Sequence, residues 1–290
     1  MKFLVTLDLA HARYGHMGLE RLKKACIQQL RRKFDAGASR DIKIRDILGA
    51  TYSFCEMCEL ANSRRQRMNR KSRGNTHTRA TTANYRLHMD ACIVNVVART
   101  GEVLFVMAVE DKSRYGYYNG LAKRSDVYEM FIKLQAQIER QVDGPIRKVR
   151  CDNAPEMVAG RLGAHIVEQG IEFELTQRDT SEMGGVAERR IESVTNGIRV
   201  SLTNGSLPDK FWNDAGKEAN RIINESPSSS LPNWRSPHED RFGTIPDLDM
   251  VRIFGCPAYV HLLYPQRENK VSPRAVKGIY IGRCDDSKAW

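Results

Sequence analysis

The sequence predicts an α/β protein built on a mixed sheet, with a small helical module ahead of it and a strand-rich module behind it. Three observations carry this. Apolar strand-like runs and amphipathic helical runs follow one another between residues 86 and 202. Two histidines and two cysteines at short spacings precede them, and short alternating runs follow at 251–283. Strands repeat with period 2 and helices with period 3.6, which is how the two are told apart.

The first module contains His11 and His16, five apart, and Cys55 and Cys58 as Cys-x-x-Cys. Between them, Leu19, Leu22, Cys26 and Leu30 form one apolar helical face with Lys and Arg on the other. Such a helix buries too little to hold itself, and a tetrahedral His2Cys2 zinc ion would staple it, each pair supplying two ligands from one local turn. A redox Cys-x-x-Cys would call for a βαβ context, and none surrounds Cys55. Cys26 reads as core.

Charge is unevenly placed. The 290 residues carry a net charge of +11, and residues 1–82 hold 18 Lys/Arg against 7 Asp/Glu while the remainder is balanced. A polyanion, most commonly nucleic acid, suits such a segment. Between Ala61 and Arg79 there are seven basic residues and no acid. We expect Arg64, Arg65, Arg67, Arg70, Lys71 and Arg73 to lie along phosphates as an extended linker, binding without reading sequence. There is no run of 18 apolar residues, so no membrane span is expected. The first eight residues are too short and too early charged for a secretory signal. Seven cysteines, an odd number, suit a reducing compartment better than a disulfide framework.

The central module starts with a predicted strand from Arg86 to Val97 that contains Asp90. A second covers Glu102 to Val109, and a third begins at Tyr115. Val127, Met130, Phe131, Leu134 and Ile138 mark an amphipathic helix that Gly144-Pro145 breaks. A strand from Ile146 to Cys151 delivers Asp152. A helix over about 160–168, a strand over 171–175 and a loop at Gly184-Gly185 follow. The next helix carries Ile191, Val194, Ile198 and Leu202 on one stripe, with Glu188 off the stripe in its first turn. Three antiparallel strands, a helix and then parallel strands make the order of a ribonuclease-H-like, mixed five-stranded sheet with helices.

In that order Asp90, Asp152 and Glu188 are candidates for one site. Three converging carboxylates repel one another. Two Mg2+ or Mn2+ ions, which prefer carboxylate oxygen and water, relieve this and suit phosphoryl displacement. Asp111, Asp126, Asp143, Asp179, Glu182 and Glu192 are rivals by proximity in sequence. Further on, Leu207 to Asn224 predicts a helix with Pro208 in its first turn and Trp212, Ala215, Ala219 and Ile222 or Ile223 inside. Residues 226–237 are Ser- and Pro-rich and read as a linker.

The pattern His11-x4-His16…Cys55-x2-Cys58, Asp90…Asp152-Asn153…Gly185-Val-Ala-Glu-Arg189 resembles the integrase of copia-type (Pseudoviridae) LTR retrotransposon Pol polyproteins. Phe254-Gly-Cys-Pro-Ala-Tyr-Val-His261…Lys270-Val-Ser-Pro-Arg-Ala…Gly278-Ile-Tyr-Ile-Gly282 resembles the small SH3-like β-barrel that follows such a core. The resemblance implies five segments: an HHCC zinc-binding domain at 1–62, a basic linker at 63–82, a ribonuclease-H-like catalytic core at 83–225, a linker at 226–250 and an SH3-like barrel at 251–290. It implies a polynucleotidyl transferase performing metal-dependent 3′-end processing and strand transfer on double-stranded DNA, at element ends and target. Asp90, Asp152 and Glu188 would be catalytic and would hold two Mg2+ or Mn2+ ions, with Asn153 helping to order the site. His11, His16, Cys55 and Cys58 would hold one Zn2+. A homo-oligomer working in the nucleus, with cytoplasmic virus-like particles as its source, is expected. The sequence departs from the family pattern at Asp152-Asn-Ala-Pro-Glu-Met157 and at Met183-Gly184-Gly185. These departures motivate the alternative of a catalytically degenerate or host-adopted DNA- or chromatin-binding derivative.

Overall fold

A computed structural model describes residues 7–35, 55–62, 79–142, 144–152, 160–176 and 185–283. Two helices open it, α1 (Leu7–Arg13) and α2 (Leu19–Asp35), followed by the short α3 (Glu56–Asn62). The central module runs β1 (Arg86–Ile93), β2 (Leu104–Glu110), β3 (Gly116–Leu121), α4 (Val127–Gln141), β4 (Lys148–Asp152), α5 (Gly160–Glu168), β5 (Glu172–Thr176), α6 (Gly185–Gly205) and α7 (Trp212–Glu225). Then come α8 (Pro237–Phe242), β6 (Pro257–His261) and β7 (Ala275–Ile279).

The five-stranded sheet has the order β3-β2-β1-β4-β5. β1 pairs antiparallel with β2, as β2 does with β3, and β1 and β5 flank β4 in parallel. This is the ribonuclease-H-like arrangement. Both faces are covered, which is why β2 is buried at every position. Leu87, Met89, Leu104, Val106 and Val149 pack with Phe131, Leu134 and Ile138 of α4 on one face. Phe105, Met107 and Val109 pack with Val194, Ile198 and Leu202 of α6 and Trp212 and Ala215 of α7 on the other. At Gly197 a Cβ would come within 2.7 Å of Ala219 Cβ, so the α6–α7 crossing needs a glycine there.

Three sequence readings are corrected. β1 ends at Ile93 rather than Val97. The Val96 carbonyl accepts a hydrogen bond from Trp212 Nε1 at 2.8 Å, and the Arg99 amide donates to the Lys210 carbonyl at 2.7 Å. The Val94 and Ala98 amides still pair with the Val103 and Glu102 carbonyls, but the groups between and after them are spent on the entry to α7, and the regular ladder stops. Pro208 lies outside α7: it caps a 3-10 turn, Asp209–Phe211, that leads into it. Residues 226–250 are not a free linker. Leu231, Ser236, Arg241 and Leu248 are buried, the Pro227 carbonyl accepts from Arg21 Nε at 2.6 Å, and Ser236 caps α8 through the Glu239 amide. Serine and proline here provide helix starts rather than flexibility.

Leu248 and Val251 share a core cluster with Ala10, Tyr14, Met17, Leu22 and Ala25 of the first module and Ile222 of α7. The helical module is thus docked onto the central one within the same chain. The expected barrel appears among the described residues as one two-stranded antiparallel sheet, β6-β7.

A buried ionic cluster ties the strands together beneath β1. Asp111 accepts from Arg86 Nη1 at 3.0 Å, His88 Nε2 at 3.0 Å, Arg114 Nη1 at 2.7 Å and the Ala80 amide at 2.9 Å. Arg86 also donates twice to Glu174 on β5. Burial opposes ionisation of Asp111, but the hydrogen bonds from His88 and Ala80 and the His88 and Arg114 charges outweigh it, holding the carboxyl below its usual range. A folded pKa below the unfolded one means stabilisation that is complete above about pH 4 and lost as pH falls through the folded value. We expect Asp111→Ala to cost about 3 kcal/mol, because Arg114, His88 and the Ala80 amide lose this acceptor and Arg86 is left with Glu174, and to remove that acid-side dependence. Urea titrations of both proteins from about pH 6 down to about pH 2 measure this.

Candidate metal centre and active site

His11 and Tyr14 sit on the last turns of the α1 segment, where the His16 amide donates back to the His11 carbonyl at 2.8 Å. Gly15 and His16 both take positive φ, 63° and 57°. This tight left-handed turn swings the His16 ring back beside His11, with ring centroids 4.8 Å apart. Cys55 opens α3, its carbonyl accepting from the Cys58 and Glu59 amides, so the two thiols lie on one turn.

The four side chains meet. His11 Nε2 is 3.2 Å from Cys58 Sγ, and His16 Nδ1 is 3.2 Å from Cys55 Sγ and 3.6 Å from Cys58 Sγ. All four donor atoms lie within 4.8 Å of one another. A tetrahedral zinc with bonds of roughly 2.0 Å to nitrogen and 2.3 Å to sulfur separates neighbouring N and S ligands by about 3.5 Å. The donor set fits. His11 Nδ1–H donates to the Met17 carbonyl at 2.9 Å, which leaves the Nε2 lone pair facing the thiols, the outer contact that orients a ligating imidazole. Burial, then the neighbouring His11, pulls His16 down to about 4 and so keeps it neutral. Burial and the Cys55 thiol push Cys58 up to about 12. A dication at the centre would reverse that and favour thiolate. Among the described residues this is the one group of three or more His, Cys, Asp or Glu side chains close enough to hold a metal.

Of the acidic trio, Asp90 is half-buried on β1, paired with Met107, and its Oδ1 accepts from the Ala91 amide at 2.8 Å. It lies on the sheet face that α6 covers, since Met107 belongs to that core. Asp152 is the last residue of β4, paired with Thr176. The β1–β4 pairing ends at His88 and Arg150, and Asp90 and Asp152 are each two residues beyond it. The Asp152 side chain and Asn153 lie outside the described residues, as do Arg64, Arg65, Arg67, Arg70, Lys71 and Arg73. Glu188 is exposed in the first turn of α6, and α6 packs on β1 and β2. Backbone placement therefore brings Asp90 and Asp152 to one end of neighbouring strands, with the Glu188 helix laid over the same sheet. The rival Asp111 is committed to Arg86, His88 and Arg114. Arg79, also in the basic stretch, is turned to the carbonyls of Asp111, Lys112 and Ser230.

The chain is 26% identical over 286 residues to the retrovirus-related Pol polyprotein from transposon TNT 1-94 of Nicotiana tabacum, a match covering 97% of this chain and 20% of that protein. It is 29% identical over 178 residues to the Pol polyprotein from transposon RE1 of Arabidopsis thaliana, covering 61% of this chain and 12% of that protein. Its relatives are retrovirus-related Pol polyproteins of copia-type transposons. The chain thus spans 20% or less of the length of these two proteins. The family model of the retroviral polymerase SH3-like domain matches residues 256–290, which include β6 and β7. Among solved structures, the HTLV-2 integrase catalytic core domain in complex with magnesium aligns over 56% of this chain and 99% of its own, at 15% identity and a TM-score of 0.43. Among the described residues no helix is long and apolar enough to cross a membrane.

Sequence reasoning missed two features. The Met17 carbonyl that orients His11 is backbone and leaves no residue-type signal. Arg190, two residues after Glu188, is fully buried in polar contacts that no spacing rule announces.

Proposed function

We propose that this chain is the integrase portion of a copia-type Pol polyprotein, a polynucleotidyl transferase that processes 3′ DNA ends and joins them to target DNA. One observation carries the reading: Asp90 and Asp152 stand on adjacent parallel strands of a ribonuclease-H-like sheet, and Glu188 opens the helix packed across it. Asp90, Asp152 and Glu188 are the residues that would hold two Mg2+ or Mn2+ ions. Those ions would supply charge neutralisation for an in-line displacement at phosphorus. In the first step water would attack the phosphodiester near a 3′ end and the 3′ oxygen would leave with a proton as the new 3′ hydroxyl; in the second that hydroxyl would attack a phosphodiester of the target strand, forming a new P–O bond as the target's own 3′ oxygen leaves and takes up the proton. Asp90, half-buried against the core, gives a rigid ligand, and exposed Glu188 faces the side open to substrate. Arg64, Arg65, Arg67, Arg70, Lys71 and Arg73 contact phosphates on this reading. His11, His16, Cys55 and Cys58 hold a structural Zn2+. A homo-oligomer acting in the nucleus accords with two DNA ends being joined to one target.

The test supplies the chain with a blunt duplex carrying its element's terminal sequence, a supercoiled plasmid, and Mg2+ or Mn2+. Joined products are expected, dependent on the divalent ion. Cutting without joining would replace the reading by a plain nuclease. Binding without any metal-dependent cutting would replace it by a catalytically degenerate DNA- or chromatin-binding derivative.

A further inference from the structure

Two residues beyond Glu188, α6 buries an arginine that has no carboxylate partner among the described residues. Arg190 is 8% exposed. Its Nε donates to Asn220 Oδ1 at 3.1 Å, and its Nη2 donates to the same oxygen at 2.8 Å, to the Asn220 carbonyl at 3.4 Å and to Asn224 Oδ1. The two asparagines are four apart on one face of α7. Their amide nitrogens both donate to the Gly116 carbonyl, at 2.8 and 2.7 Å, and the Gly116 amide donates to Asn224 Oδ1 at 2.8 Å. A closed network therefore links the first turns of α6, the C-terminal half of α7 and the first residue of β3. Gly116 leaves it room: a Cβ there would lie 2.7 Å from Arg190 Nε and Nη2.

Such an arrangement is costly to bury and rigid once formed. Burial pulls the guanidinium down to about 9, so it is still charged at neutral pH. Arg190 stands one helical turn before Val194, at the N-terminal end of the buried side along which Val194, Ile198 and Leu202 hold α6 to the sheet. At the helix start it holds the side of α6 turned away from Glu188, which is two residues back and so about 200° round the helix axis.

We propose that Arg190 is a positioning residue that locks the rotation and depth of the first turn of α6, and thereby the reach of Glu188 toward the ions held with Asp90 and Asp152. The inference rests on the integrase reading for its catalytic consequence, while the mechanical anchoring stands without it. Groups that orient a ligand from behind are worth about 10- to 100-fold in metal affinity or activity.

The experiment compares the parent chain with Arg190→Met, which retains volume but no donors, and with Gly116→Ala, which crowds the fork from β3 without changing α6. Two quantities are read: the Mg2+ concentration giving half-maximal DNA cutting, and the hydrogen exchange of the amides of residues 186–191 against those of β2. Both variants are expected to need about ten-fold more Mg2+, with DNA affinity unchanged, and to exchange faster at 186–191 while β2 stays protected. A merely structural role would speed exchange in β2 as well or leave the Mg2+ requirement where it was, and either result would overturn the proposal. If the parent shows no metal-dependent cutting, the integrase reading fails and the exchange arm decides the anchoring alone: unchanged exchange at 186–191 rejects it.

Discussion

Glu188→Gln is expected to abolish DNA cutting and joining while leaving the melting temperature unchanged. The side chain is exposed, and substitutions at exposed positions away from special contacts usually stay within about 0.5 kcal/mol of the parent. Its charge, in contrast, is what the two ions of the proposed site would need. Losing one carboxylate from a three-carboxylate site is expected to lower the rate by at least about 10³-fold, or about 4 kcal/mol of barrier. Asp90→Asn and Asp152→Asn should do the same. Glu192→Gln, one turn further on the exposed side of α6, is the matched control and should retain activity. Single-turnover rates with Mn2+ beside calorimetry make the measurement. Glu188→Gln or Asp152→Asn proteins as active as the parent would remove the acidic trio from the mechanism.

Zinc removal is expected to have the largest effect on stability. α3 is seven residues long, too short to persist by itself, and its Leu60 is 63% exposed. What brings it to the His11–His16 turn is the cluster of donors. That turn in turn belongs to the core shared by Leu22, Ile222, Leu248 and Val251, and α3 packs on α6. A metal held there would therefore fasten together parts of the chain far apart in sequence. At free zinc about 1,000-fold above its dissociation constant, linkage contributes about 4 kcal/mol, on the order of 10 °C in Tm for a chain of this size. Chelation, or Cys58→Ser, should lower Tm by that amount, and the parent should retain one zinc per chain by elemental analysis. A chain that purifies without zinc and melts at the same temperature with and without chelator would sink the assignment.

These expectations draw unequally on sequence and structure. The helix carrying Val194, Ile198 and Leu202, the helix carrying Phe131 and Ile138, and the strands around Asp90 and Asp152 were legible because each has one buried face, and a buried face imposes a period. The His and Cys pairs were legible because each pair lies within one turn. Residues 226–250 misled because serine and proline advertise loss of regular structure without saying what the irregular chain packs against. The network of Arg190, Asn220, Asn224 and Gly116 had no signal at all: its members are 108 residues apart at the extremes, and amides and arginine elsewhere are ordinary surface.

Sequence alone determined which stretches become strands and helices, which of them carry carboxylates, imidazoles and thiols, and where positive charge gathers, since all of these are local properties of residue type and spacing. Only the tertiary structure decided that the helical module and residues 226–251 close over α7 as one core, that Asp111 is consumed by its cationic neighbours, and that a buried guanidinium anchors the helix bearing Glu188. Those are long-range choices, made where burial forces every charge and every amide to find a partner, and the partner can come from anywhere along the chain.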